Sequence, residues 1–149
     1  MNTIEICGAK TKMKQIIRDI NINYNCKSVR GNHNFKNSGV RRDEAAAIRL
    51  KFPTKVPIIL EKYHKESDLP HLDKRKFLVP QEVSISQFLC IIRNRMKLSS
   101  NKTLFFLINN RSLIPISRTV GEIYEEYKEI DGFLYITYAS QEAFGLKMV

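Results

Sequence analysis

Nucleophilic or metal chemistry in this chain would fall to three cysteines, Cys7, Cys26 and Cys90, and three histidines, His33, His64 and His71. The cysteines show no C-x-x-C spacing and the histidines no metal-ligand spacing, so neither a zinc site nor a disulfide framework is indicated. Cys90 with His71 as its base is the one nucleophile to weigh. On a helix, however, Cys90 falls with Ser86, Arg93, Asn94 and Lys97 on the polar face, and no motif places a base beside it. The expectation is a non-enzyme that needs no cofactor and no metal, in a reduced intracellular compartment.

Two other features carry chemistry of a different kind. Gly145, with Leu146–Val149 after it, has no Cβ, so its carbonyl is less hindered toward a nucleophile than that of any other residue. Taken alone, a glycine there is more often flexible chain than reaction centre. Lys76-Phe-Leu-Val-Pro80 is a short strand whose terminal proline suits a strand end or edge. An edge with free backbone groups beside apolar side chains is suited to capturing an extended peptide by β-augmentation.

The chain that must position these features has 149 residues, 43% of them apolar, enough for one well-buried core. Its net charge of +10 is uneven: residues 1–55 hold 12 Lys and Arg against 4 Asp and Glu, and residues 56–149 hold 13 against 11. A basic arm on a nearly neutral domain points to an acidic partner, and charge alone does not choose among membrane, acidic protein and nucleic acid. The N-terminus lacks the apolar run of a secretory signal, and no stretch approaches the roughly 18 apolar residues of a membrane span. Membrane attachment would therefore be peripheral or covalent.

Met13, Ile16, Ile17 and Ile20 recur at helical spacing among Lys12, Lys14 and Arg18, predicting a short amphipathic helix over Thr11–Ile20. An Asn-rich linker follows, and the folded domain is expected to begin near residues 35–40. Ala45, Ile48 and Phe52 share one face of a helix over Arg41–Phe52 that Pro53 stops. Val56–Tyr63 is a strand apolar on both faces, so one face needs a second cover. Ser84 and Gln87 form a capping box ahead of Ile85, Phe88, Leu89, Ile92 and Met96, the strongest helical pattern in the chain. A strand over Leu104–Asn109, a helix capped by Thr119 and Glu122, an Asp131-Gly132 turn and a strand over Phe133–Ala139 complete the order α-β-β-α-β-α-β. This is the order of a β-grasp of α+β class, as in ubiquitin: a four-stranded mixed sheet wrapped over a central helix. Additional N-terminal helices precede it, and the one over Arg41–Phe52 is expected to cover the sheet's other face.

Lys51-Phe-Pro-Thr-Lys-Val-Pro-Ile-Ile-Leu-Glu-Lys-Tyr63, Leu72-Asp-Lys-Arg-Lys-Phe-Leu-Val-Pro80 and Asp131-Gly-Phe-Leu-Tyr-Ile-Thr-Tyr-Ala-Ser-Gln-Glu-Ala-Phe-Gly145 closely resemble the autophagy-related ubiquitin-like modifiers. Within them the chain looks like the microtubule-associated protein light chain 3 subgroup. Pro80-Gln-Glu and Ser86-Gln-Phe-Leu-Cys-Ile-Ile-Arg-Asn-Arg-Met96 are most similar to its gamma type. The resemblance covers about residues 41–149. It implies cleavage after Gly145 by a processing cysteine protease, passage through activating and conjugating enzymes, and conjugation to phosphatidylethanolamine on autophagosomal membranes. The implied location is the cytoplasm, and the autophagosomal membrane once lipidated. The implied organisation is a basic, divergent extension over 1–34, a ubiquitin-like modifier domain over 35–145, and a tail over 146–149 removed by processing.

The resemblance also implies a docking surface for the aromatic-x-x-aliphatic motifs of autophagy receptors and cargo adaptors. Carried over residue by residue, the aromatic pocket is Glu44, Ile48, Pro57, Ile59, Lys76, Leu78 and Phe133. The aliphatic pocket is Phe77, Val79, Pro80, Phe88, Ile91 and Ile92. Lys55, Lys74 and Arg95, with Lys76, form an electrostatic rim for acidic residues flanking the motif. Glu44 stands where the family often has Asp, and Phe88 where Leu is more common. The Thr11–Ile20 helix is expected to touch anionic membrane. The alternative is an unconjugated peptide-binding adaptor whose basic arm contacts RNA or microtubules. Phe105 and Phe106 alternate within a strand and no RNA-recognition signature is present, so nucleic acid is not expected as the main partner.

Overall fold

The computed structural model describes residues 38–144. Helix α1 (Ser38–Lys51) is built on Ala45, Ala46 and Ala47, which lose little entropy in a helix, and Arg49 and Lys51 face the negative end of its dipole. Strand β1 (Lys55–Lys62) follows, then β2 (Lys76–Pro80) after a long connection. Next come α2 (Ile85–Met96), β3 (Phe105–Ile108), β4 (Ser112–Leu113), α3 (Val120–Tyr127), β5 (Leu134–Ala139) and the single turn α4 (Gln141–Phe144).

The strands form one mixed sheet in the order β2-β1-β5-β3-β4. At its centre β1 runs parallel to β5, from Ile58 opposite Leu134 to Lys62 opposite Tyr138. The other pairings are antiparallel. The sheet thus has five strands where four were expected. The fifth, Ser112–Leu113, is two exposed residues, too short to leave an alternating pattern. A β-grasp is otherwise what the element order predicts.

Helix α2 crosses one face of the sheet. Ser84 Oγ accepts the Gln87 N–H at 3.2 Å and Gln87 Oε1 accepts the Ser84 N–H at 3.0 Å, so the expected capping box is closed in both directions. Ile85, Phe88, Ile91 and Ile92 are buried against Ile58, Leu60, Leu134 and Ile136. Leu89 and Met96, expected in this stripe, are only half-buried, because the helix turns Ile91 inward beside Ile92. Thr119 caps α3 in one direction only: its Oγ1 accepts the Glu122 N–H, while the Glu122 carboxylate pairs with Arg118 at 3.2 Å.

Helix α1 covers the other face with a smaller cluster of Ala45, Ile48, Ile59, Leu78 and Phe133. Gly132 turns the chain into β5 at φ +86°, where side chains are strained, and a Cβ there would lie 3.0 Å from the Ala45 Cβ. Arg41 of α1 donates to the Tyr135 hydroxyl at 2.9 Å, and that hydroxyl donates in turn to Asp131.

Glu66, in the connection between β1 and β2, is 93% buried, with 7% of its surface exposed. Its carboxylate accepts the N–H groups of Asp68 and Leu69, both at 3.0 Å, the Ser140 N–H at 2.6 Å and the Ser140 hydroxyl at 2.8 Å. Burial pushes its pKa up, but hydrogen bonds from Ser140, Leu69 and Asp68 outweigh burial and hold it below the ordinary 4.5.

A group with a depressed folded pKa stabilises the fold fully above its unfolded value, and that contribution is lost as pH falls through the folded value. The stability difference between the wild type and Glu66→Gln should therefore be largest at neutral pH and shrink on acidification below 4.5, as measured by denaturant melts across that range. Gly132→Ala should cost more than about 1 kcal/mol in the same melts, because the left-handed turn and the contact with Ala45 both oppose the added methyl.

Candidate peptide-docking site

Strand β2 pairs with β1 on one side only, and no other described strand pairs with its outer side. The phase of the ladder decides which groups face outward. Leu60 N–H donates to Arg75 O at 2.8 Å and Gln81 N–H to Thr54 O at 3.0 Å. With Ile58 opposite Phe77 and Val56 opposite Val79, the residues between these pairs turn their backbone groups away from β1. Lys76 and Leu78 thus direct N–H and C=O outward, while the Pro80 carbonyl is taken up by the Val83 N–H at 3.1 Å.

Side-chain alternation along β2 distributes its residues between the two faces. Lys76 and Leu78 lie toward α1; Phe77 and Val79 lie toward α2. Of the residues assigned to an aromatic pocket, Ile48, Ile59, Leu78 and Phe133 meet in the α1 cluster, and Pro57 stands opposite Leu78 in the ladder. Lys76 Nζ binds both Glu44 oxygens at 2.9 Å and sits 6.0 Å from the centre of the Phe133 ring. Glu44 and Lys76 thus form a polar bridge from α1 to β2 beside this cluster. Ala45 belongs to it too, a helix-face residue that was not assigned to the pocket.

The residues assigned to an aliphatic pocket, Phe77, Val79, Phe88, Ile91 and Ile92, all lie in the main core, and Pro80 is buried at the strand's end. Phe77 and Phe88 meet edge to face with ring centres 5.8 Å apart. The Lys74 ammonium and the Arg95 guanidinium stand 5.6 and 5.5 Å from the Phe77 ring centre. Burial and the neighbouring Arg95 charge lower the Lys74 pKa against the opposing pull of Asp73. Lys55, the third rim cation, lies 5.4 Å from the Phe52 ring beside the α1 cluster. Lys55, Lys74 and Arg95 thus rest on aromatic rings rather than standing free in solvent.

Sequence reasoning gave no sign of a separate cleft of about 640 Å³ between α1 and α3, lined by Arg49, Gln81, Arg118, Tyr124 and Glu126 among others. Arg118 is held there by Glu122 and Glu126, which leaves its charge internally matched. Cys90 is an exposed thiol on α2. Among the described residues, no three His, Cys, Asp or Glu side chains gather as a metal site would require, and no helix is long and apolar enough to cross a membrane. Gly145 and the Thr11–Ile20 stretch lie outside the described residues.

Residues 40–145 match the family described as autophagy protein Atg8 ubiquitin like. The chain is 52% identical over 118 residues to human microtubule-associated protein 1 light chain 3 gamma, covering 79% of this chain and 80% of that one. It is 42% identical over 109 residues to autophagy-related protein 8e of Arabidopsis thaliana, covering 73% and 88%. The crystal structure of Trypanosoma brucei ATG8 superposes with a TM-score of 0.65 at 38% identity, over 70% of this chain and 88% of that one. With its β-grasp and a family match spanning most of its length, the chain belongs to the Atg8 family of autophagy ubiquitin-like proteins.

Proposed function

We propose that this protein is a ubiquitin-like modifier of autophagy. It is cut after Gly145 by a cysteine protease, passed through activating and conjugating enzymes, and joined to phosphatidylethanolamine, whereupon it presents the β2 edge to receptors and adaptors bearing aromatic-x-x-aliphatic motifs. It is a substrate and a tag, not an enzyme. It works in the cytoplasm and on autophagosomal membranes, with residues 1–34 as a basic extension and 146–149 as the discarded tail.

The observation that carries the docking reading is the outward row of Lys76 and Leu78 backbone groups, with one apolar cluster on each side of the same strand. An extended ligand pairing there alternates its side chains between the two sides, so anchors of opposite orientation reach different clusters. Both clusters are closed: Leu78 is 5% exposed and Phe77 3%. Seating an aromatic anchor therefore requires parting the Lys76–Glu44 bridge from Phe133. Seating an aliphatic one requires shifting Lys74 and Arg95 from Phe77.

These rearrangements set the scale of affinity. Two buried anchors supply about 1.5–3 kcal/mol each and a few strand hydrogen bonds about 0.5–1.5 each. Ordering the motif and opening the clusters offset much of that, leaving micromolar binding, about 8 kcal/mol. Many lipidated copies on one membrane then raise avidity with no new contact.

Leu78→Ala should weaken a motif peptide by about tenfold or more, since it removes a wall of the α1 cluster; calorimetry on a folded variant checks this, and unchanged affinity counts against the site. Phe77→Ala gives a less separable readout, because Phe77 also packs on Phe88 in the main core. Incubation with the processing protease and then the full conjugation cascade, followed by intact mass, should show loss of Leu146–Val149 and gain of phosphatidylethanolamine. An unchanged mass would refute the modifier reading.

A further inference from the structure

The buried Glu66 carboxylate serves no role in peptide docking, yet it draws together two parts of the chain 74 residues apart. One oxygen accepts the N–H groups of Asp68 and Leu69, which fixes the loop before β2. The other takes the Ser140 N–H at 2.6 Å and its hydroxyl at 2.8 Å. Ser140 is 4% exposed and immediately follows β5. Its Oγ also accepts the Ala143 N–H at 3.4 Å, so the residue held by Glu66 begins the turn α4. The next backbone N–H, of Gln141, donates to Thr103 Oγ1 at 3.0 Å. No buried side-chain polar atom among the described residues is left without a partner, so these contacts form a saturated network.

We infer that Glu66 is a positioning residue for the C-terminal reaction: it locks Ser140 as a fixed pivot from which residues 141–145 are delivered to the enzymes that act on Gly145. This rests on the reading of Gly145 proposed above. A protease or activating enzyme that grips the domain must also thread the terminal residues into its cleft. The fewer orientations the root of that segment samples, the smaller the entropy lost on threading. Hydrogen bonds to a buried, ionised carboxylate suit such an anchor, being stronger than neutral ones. The turn beyond Ser140 is a different matter: one turn of helix with a single long capping bond opens readily into the extended form a narrow cleft accepts. The root is rigid, and the four residues beyond it yield.

The test compares full-length wild type with Glu66→Gln, Ser140→Ala and the double variant as substrates of the processing cysteine protease, cleavage being followed by intact mass. Glu66→Gln keeps the side chain's shape and removes its charge. It should lower kcat/KM about tenfold, with the loss in KM and kcat within about twofold, because binding of the tail is impaired and the cleaved bond is not. Ser140→Ala should lower it less, since the backbone N–H of residue 140 still reaches Glu66, and the double variant should be no worse than Glu66→Gln. Amide exchange at residues 140–144 should quicken in Glu66→Gln more than in α2, and motif-peptide affinity at β2 should be unchanged, which reports an intact domain. Should Glu66→Gln prove too unstable, Ser140→Ala with the same exchange and KM measurements carries the test. A folded variant cut as efficiently as wild type, or one slowed in kcat alone, overturns the pivot while leaving the reading of Gly145 in place. A wild-type chain that the protease leaves intact overturns that reading and the pivot with it.

Discussion

Strand β1 is buried on both faces, and most of the architecture answers to that requirement. From Val56 to Leu60 every residue is closed off from solvent, so a single layer of helix cannot satisfy the strand. Helix α2 takes Ile58 and Leu60 with the larger core, and α1 takes Ile59 with the smaller one. On its edges β1 is claimed by β5 on one side and β2 on the other. Because β5 occupies the inner position, β2 is left outermost. The same arrangement that shelters β1 therefore leaves a strand whose inner edge is paired, whose two faces are packed, and whose outer edge meets no other described strand. The open edge on which the docking proposal rests is a by-product of completing the core.

Local rules read most of this correctly, where local interactions decide. The Ser84 and Gln87 pair names the start of α2, and the bounds of β2 follow from Lys76 and the four-residue apolar run after it that ends in proline. Alternation along β2 divides its side chains between two faces without any knowledge of what lies there. The failures are of other kinds. Strand β4 is too short to leave a period. The Thr119 cap lacks its reciprocal bond because Glu122 has a better electrostatic partner in the preceding Arg118, a choice no spacing rule records. Leu89 and Ile91 exchange burial because a stripe read on an ideal wheel cannot fix which flank of α2 meets the sheet.

The candidate site was legible as membership, not as state. Residue types and resemblance assemble the right neighbours, Ile48 with Ile59, Leu78 and Phe133, and Phe77 with Phe88. They do not disclose that the walls are shut, that Lys76 and Glu44 bridge beside one cluster, or that Lys74 and Arg95 rest on the ring of the other. Residue type assigns these cations to a rim but does not disclose the rings on which they rest. The Glu66 and Ser140 contact was invisible for a simpler reason. A single acidic residue in a loop and a serine 74 positions later carry no pattern, and only the closed sheet brings them within hydrogen-bonding distance.

The place of β5 has one more consequence, for how the protein is made. The last strand of the sequence stands at the centre of the sheet, flanked by β1 and β3. While a nascent chain still holds its final segment in the ribosomal tunnel, β1 and β3 are complete yet have nothing between them, and the sheet cannot close. A chain that stops short of Leu134 therefore holds only two separate strand pairs, β2 with β1 and β3 with β4, and no closed core.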